Sequence, residues 1–129
     1  MFNILISDPL SEDGIGPLRE APNMNLVIET HLSKEELEDR IGEFDALLVR
    51  SQTQVTRELI NKAKKLKIIG RAGVGVDNID LDAATENGII VVNAPNGNTN
   101  SAAEHTIAML MSLSRNIPQA YHALKHKKW

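Results

Sequence analysis

Short apolar runs and amphipathic segments alternate along the whole chain. The runs Asn3–Ser7, Leu26–Glu29, Ala46–Arg50, Ile68–Gly70 and Ile89–Asn93 are mostly continuous rather than alternating. That is the pattern of strands covered on both faces. Between them, Ser33-Lys34-Glu35-Glu36 forms a capping box that opens a helix whose Leu37 and Ile41 share a face. Thr56 is placed to cap a helix carrying Leu59, Ile60 and Ala63, and Leu81–Thr85 predicts a short helix closed by Asn87-Gly88. The signal is weakest over Gly14–Glu20, where Gly14, Gly16 and Pro17 all oppose a helix. Five strand–helix repeats with short links predict a parallel five-stranded α/β sheet with helices on both faces, a flavodoxin-like domain. Ligands of such sheets gather outside the carboxyl ends of the strands.

The end of the chain follows a different pattern. "NAPNGNTN" (93–100) is a turn-rich linker, and Ser101 with Glu104 forms a second capping box for a long helix over Ala102–Arg115. Asn116 and Pro118 should stop it, leaving "HALKHKKW" as a basic tail with His122 and His126. Ala103, Ile107, Leu110 and Met111 lie on one side of the helix, and Ala108 and Met109 on others. A helix apolar nearly all round expects partners on several faces. Five strands cannot supply them all, so a second domain or a second copy of the chain is expected.

Composition narrows the class. The chain has 129 residues, 42% hydrophobic and 24% charged, which suits one globular domain. A net charge of −3 gives no electrostatic reason to expect nucleic acid. The absence of cysteine excludes disulfides, thiolate metal sites and a cysteine nucleophile, and fits a reducing compartment. "FNILISD" follows Met1 with no basic n-region, so no secretory signal is expected. The longest apolar stretch, Ile107–Leu113, is far too short to span a bilayer. A cytoplasmic chain without a membrane partner is the expectation.

The candidate chemistry lies in "KIIGRAGVGVDNID" (67–80). Against the G-x-G-x-x-G pyrophosphate fingerprint, Gly73 and Gly75 fit but Asn78 stands in the third place. Asn93 occupies the next strand end, where that fingerprint needs an acid, and Asp77-Asn78 reads as a turn rather than a helix start. Two readings stay open. Consecutive N–H groups around Val74 can form a nest for an oxyanion, or the glycines supply positive φ in a tight turn. At the same sheet edge, Arg50 offers a guanidinium suited to carboxylate or phosphate, unless it pairs with Glu43 or Asp45. Ser51 adds a hydroxyl, and "NAPNGN" adds Asn93 and Asn96. Three polar loops at one edge predict a small anionic ligand.

"VRSQTQVT", "KIIGRAGVGVDNIDLDAATENGIIVVNAPNGN" and "SAAEHTIAMLM" resemble the D-isomer-specific 2-hydroxyacid dehydrogenases. The resemblance implies a substrate domain at 1–98, with 99–129 as linker helix and start of an NAD-binding domain. It further implies NAD as cofactor and a small anionic 2-hydroxy acid, 3-phospho-D-glycerate, oxidised to 3-phosphohydroxypyruvate. Arg50 and Ser51 match positions that approach the substrate's anionic end. Gly73, Val74 and Gly75 match the loop whose backbone amides hold its carboxylate. Val74, Ala102 and Thr106 match positions beside the cofactor, and the 101–117 helix matches an element of a homodimer interface. The family's catalytic Arg, Glu and His motifs do not occur in this chain, and His31, His105, His122 and His126 match none of those positions. Trp129 matches the residue just before the dinucleotide-binding domain.

Other functions on the same architecture are a glyoxylate or hydroxypyruvate reductase and a non-catalytic binding module. A phosphoacceptor receiver domain is disfavoured. Asp8 suits one of its acids, but Arg50-Ser51 stands at the third strand's end, where the acceptor aspartate belongs. Asp8 is better read as a cap or turn acceptor.

Overall fold

The computed structural model describes residues 1–128, so Trp129, matched above to a domain junction, lies outside the described residues. The chain divides into two compact units, Met1–Pro95 and the segment from Asn96 onward. In the first unit the strands are β1 (Phe2–Ile6), β2 (Met24–Ile28), β3 (Ala46–Val49), β4 (Ile68–Arg71) and β5 (Ile90–Asn93). They pair entirely in parallel in the order β2-β1-β3-β4-β5. This is the doubly wound flavodoxin-like order.

Four helices connect them: α1 (Glu12–Glu20), α2 (Lys34–Arg40), α3 (Arg57–Lys62) and α4 (Leu81–Glu86). The capping box of α2 forms as the sequence predicts. Glu36 N–H donates to Ser33 Oγ at 3.2 Å, and Ser33 N–H donates to Glu36 Oε2 at 2.8 Å. Leu59 N–H donates to Thr56 Oγ1 at the start of α3. Asp80 caps α4 by accepting from Ala83 N–H at 2.8 Å. Gly88, at φ +68°, ends that helix in the left-handed region open to glycine. Helix α1 forms despite Gly14, Gly16 and Pro17. Burial of Ile15 to 3% against the sheet outweighs the poor propensity, since packing supplies most of a short helix's stability.

The core sits on one face of the sheet. Leu5, Leu47 and Ile69 are fully buried there beneath Leu37, Ile41, Leu59, Ile60, Ala83 and Ala84. Among the helices of this unit, α1 covers the opposite face. Beyond α1, Leu48, Gly70 and Val92 floor an apolar trough of about 640 Å³. Ile90 is 62% exposed at the open edge of that face.

The second unit holds α5 (Thr99–Ser114) and α6 (Ile117–Lys125). Two expectations are corrected. Helix α5 starts at Thr99, three residues before the expected start, with Asn98 as its N-cap. Ser101 therefore lies inside the helix and its capping box does not form. Asn98 supplies its backbone carbonyl to Ala102 N–H (2.9 Å) instead of a side-chain cap. The basic tail is helical as far as Lys125. Asn116 adopts φ +50° and ends α5, but Pro118 sits in the first turn of α6, where its missing N–H costs nothing. His122 and His126 stack on that helix with ring centroids 4.2 Å apart. Within the unit, Ile107, Met109, Leu110, Met111 and Leu113 of α5 are all more than half exposed.

The one-faced core makes a quantitative prediction. Ile69→Ala should destabilise this chain by about 3 kcal/mol through the cavity it leaves, and Ile90→Ala by less than about 1 kcal/mol. Urea denaturation of the two variants checks the contrast.

Candidate anion-binding site

The register aligns Val49, Arg71 and Asn93 across β3, β4 and β5. Their carboxyl ends therefore form one edge, and the residues that follow each strand line it. Asp8, at the end of β1, organises the first of these loops. Its side chain is 1% exposed. It accepts from the N–H groups of Arg50 (2.6 Å), Gln52 (3.1 Å) and Thr53 (3.1 Å), and from the Thr53 hydroxyl (2.6 Å). Burial alone would raise the Asp8 pKa. The Thr53 hydroxyl and the Arg50, Thr53 and Gln52 N–H groups outweigh it and hold the carboxyl below the ordinary aspartate value.

The carbonyl of Arg50 is held too. It accepts from Arg71 Nε at 2.9 Å and from Asn78 Nδ2 at 3.2 Å, and Asn78 Nδ2 also reaches the Thr53 carbonyl at 2.8 Å. Both peptide groups flanking Arg50 are thus fixed while its side chain stays exposed. The pairing with Glu43 or Asp45 does not occur. Asp45 instead accepts from Asn3 N–H and pairs with Lys67 at 3.4 Å. Ser51 is exposed beside Arg50.

The glycine loop lies next to this edge. Neither Gly73 nor Gly75 has positive φ, so the tight-turn reading has no support. Space is the constraint. A Cβ on Gly73 would fall 2.0 Å from Arg71 Nη1, and one on Gly75 would fall 2.8 Å from Asp77 Oδ1. Gly73 N–H already donates to the Arg71 carbonyl at 2.9 Å. Among the described residues, the N–H groups of Val74 and Gly75 meet no acceptor. The loop after β5 ties in as well. Ala94 N–H donates to the Gly73 carbonyl (2.9 Å) and Asn93 Nδ2 to the Val74 carbonyl (2.6 Å).

Arg50, Ser51, Gly73, Val74 and Gly75 therefore share one sheet edge. Ala102 and Thr106 belong to the second unit, one turn apart on α5, where the Thr106 hydroxyl donates to the Ala102 carbonyl at 2.7 Å. Sequence reasoning missed Arg71 and treated Asn78 as a misplaced third glycine and part of a turn, not as a side chain that grips the Arg50 and Thr53 carbonyls. The signal for both was their place inside the glycine-rich segment.

The model of the D-isomer specific 2-hydroxyacid dehydrogenase catalytic domain matches residues 4–126. The chain belongs to this family. It is 55% identical over all 129 residues to D-3-phosphoglycerate dehydrogenase of Bacillus subtilis, covering 24% of that protein. It is 54% identical over 129 residues to the enzyme of the same name from Methanocaldococcus jannaschii, again covering 24% of it. The chain thus spans about a quarter of the length of the curated relatives it matches. Among solved structures it resembles the NAD+-bound 3-phosphoglycerate dehydrogenase of Entamoeba histolytica. That match has a TM-score of 0.73 and 34% identity, covering 86% of this chain and 38% of that one. The D-lactate dehydrogenase of Aquifex aeolicus, complexed with NAD and lactic acid, superposes with a TM-score of 0.82. Identity there is 26%, over 98% of this chain and 38% of that one. Family members therefore keep this fold across substrates of different size.

Asp8→Asn should destabilise the chain by about 3 kcal/mol, because an amide cannot serve the same four donors. The sign of its pH dependence follows from the lowered native pKa. The carboxylate's contribution is complete above the unfolded value of about pH 4. It is lost as pH falls through the native value. The stability gap between the parent chain and Asp8→Asn should accordingly be constant near neutrality and close in acid, as measured by urea denaturation at a series of pH values.

Proposed function

We propose that this chain is the substrate-binding part of an NAD-dependent D-3-phosphoglycerate dehydrogenase, which oxidises 3-phospho-D-glycerate to 3-phosphohydroxypyruvate on the route to serine. One observation carries the reading: chain-long identity of 54–55% to enzymes of that name. The edge chemistry supports it. Among the described residues, Arg50 meets no carboxylate and the N–H groups of Val74 and Gly75 meet no acceptor, which suits a ligand with two anionic ends. In this reading Arg50 and Ser51 face the phosphate, and the Val74 and Gly75 amides hold the carboxylate. That orients C2 and its hydroxyl without supplying a base.

The glycine loop does not fit a dinucleotide pyrophosphate. Asn78 fills the third glycine's place with a hydrogen-bonded side chain, and α4 begins only at Leu81. NAD, when bound, accepts a hydride, and its main contacts come from the rest of the parent protein. The part played here is confined to Val74, 38% exposed at the edge, with Ala102 and Thr106 on α5. Residues 1–98 form the substrate domain, and 99–129 link it to the NAD-binding domain. The exposed apolar surface of the 101–117 helix supports its assignment as the dimer contact. The protein works in the cytoplasm, and the proton acceptor comes from outside this chain.

The full-length parent should oxidise 3-phosphoglycerate with NAD, and this chain alone should be inert. Arg50→Met in the parent should raise KM at least tenfold, the value of one charge-assisted hydrogen bond (roughly 1.5–3 kcal/mol), with a smaller change in kcat. A parent active only on glyoxylate or hydroxypyruvate would make it a reductase, and one inert on all three a binding module. Analytical ultracentrifugation of the parent should give a dimer, and a concentration-independent monomer would remove the dimer assignment.

A further inference from the structure

Five arginines precede Pro95, and three of them are neutralised. Arg19 pairs with Glu12 at 3.5 Å, Arg40 with Glu29, and Arg57 with Glu86 and with Asp80 at 3.7 Å. Among the described residues, the other two, Arg50 and Arg71, meet no carboxylate at ion-pair distance. These two are neighbours, because Arg71 Nε donates to the carbonyl of Arg50. The acids nearest them are committed or displaced to the side. Asp8 is spent on the 50–53 loop, and Asp77 lies against Gly75.

Arg71 does two things at once. Its Nε holds the peptide that carries Arg50, and its Nη1 occupies the space that a Cβ on residue 73 would take. One planar side chain therefore spans the two loops that Proposed function assigns to opposite ends of the substrate. A lysine, with a single point charge on a flexible stem, cannot fill both places. We infer that Arg71 is a positioning residue that sets the separation between the Arg50 guanidinium and the Val74 and Gly75 amides, and thereby selects acids with two anionic ends over acids with one. The inference rests on the assignment of 3-phosphoglycerate as substrate. Gly73 acquires a reason on this account, because it leaves room for the guanidinium that joins the loops.

The test uses the full-length parent and the variants Arg71→Met, Arg71→Lys and Gly73→Ala. KM and kcat are measured with NAD on 3-phosphoglycerate and on D-glycerate, which lacks the phosphate, and thermal unfolding is followed alongside. Arg71→Met should raise KM for 3-phosphoglycerate about tenfold or more while kcat changes less than about twofold, with D-glycerate nearly unaffected. Arg71→Lys should stay impaired several-fold although the charge is kept. Gly73→Ala should mimic Arg71→Met although both arginines are present. The double variant should be no worse than Arg71→Met, since the two changes break one contact. An unchanged KM in Arg71→Met would overturn the inference, as would equal losses on both acids or a fall in kcat that tracks melting temperature. If the unsubstituted parent turns over neither acid, the functional reading has failed and the inference with it. A parent active on 3-phosphoglycerate whose variants show no selectivity change sinks the Arg71 assignment alone.

Discussion

A single buried carboxylate holds the functional edge together. Asp8 follows β1, an interior strand of the sheet, and takes three backbone N–H groups and a hydroxyl from the loop after β3. An ion buried to 1% exposure is tolerated only where donors replace its water, and this loop supplies them. The loop gains as much as the carboxylate. Three of its N–H groups, those of Arg50, Gln52 and Thr53, converge on one acceptor. Arg50 is thereby fixed at its backbone and left free at its guanidinium, the arrangement that preorganises a long cationic side chain at low entropic cost.

The neighbouring loops extend the same logic. Asn78 and Arg71 grip the other side of the Arg50 peptide, and Asn93 and Ala94 tie the glycine loop to the end of β5. Among the described residues the N–H groups of Val74 and Gly75 are unclaimed, as are those of Ser51, Gln54, Val76, Asp77 and Asn78, and Arg50 and Arg71 have no carboxylate partner.

Most of the sheet was legible because buried parallel strands write themselves as continuous apolar runs. The Ser33–Glu36 capping box, the Thr56 cap and the Asn87-Gly88 stop carry local chemistry that formed as read. Where local and tertiary signals disagreed, the reading failed. Ser101 and Glu104 have the right spacing for a cap, but Asn98 starts the helix with its backbone, and no side-chain pattern announces that. Asn116 and Pro118 end one helix and permit the next, so a stop signal concealed α6. At Gly73 and Gly75 the sequence left an oxyanion nest and a positive-φ turn both open, and the assembled loop adds a constraint neither reading named, the space beside a side chain. That constraint depends on where Arg71 places its guanidinium, which only the assembled sheet edge shows.

The central claim is that the acid's carboxylate is received by the unclaimed amides of the glycine loop. Amide chemical shifts of the full-length parent, selectively 15N-labelled at valine and glycine and titrated with 3-phosphoglycerate, test it most directly. The account predicts saturable downfield shifts of the Val74 and Gly75 amides with Gly73 little moved, because its N–H is already engaged with the Arg71 carbonyl. Saturable binding that leaves Val74 and Gly75 unshifted would contradict it.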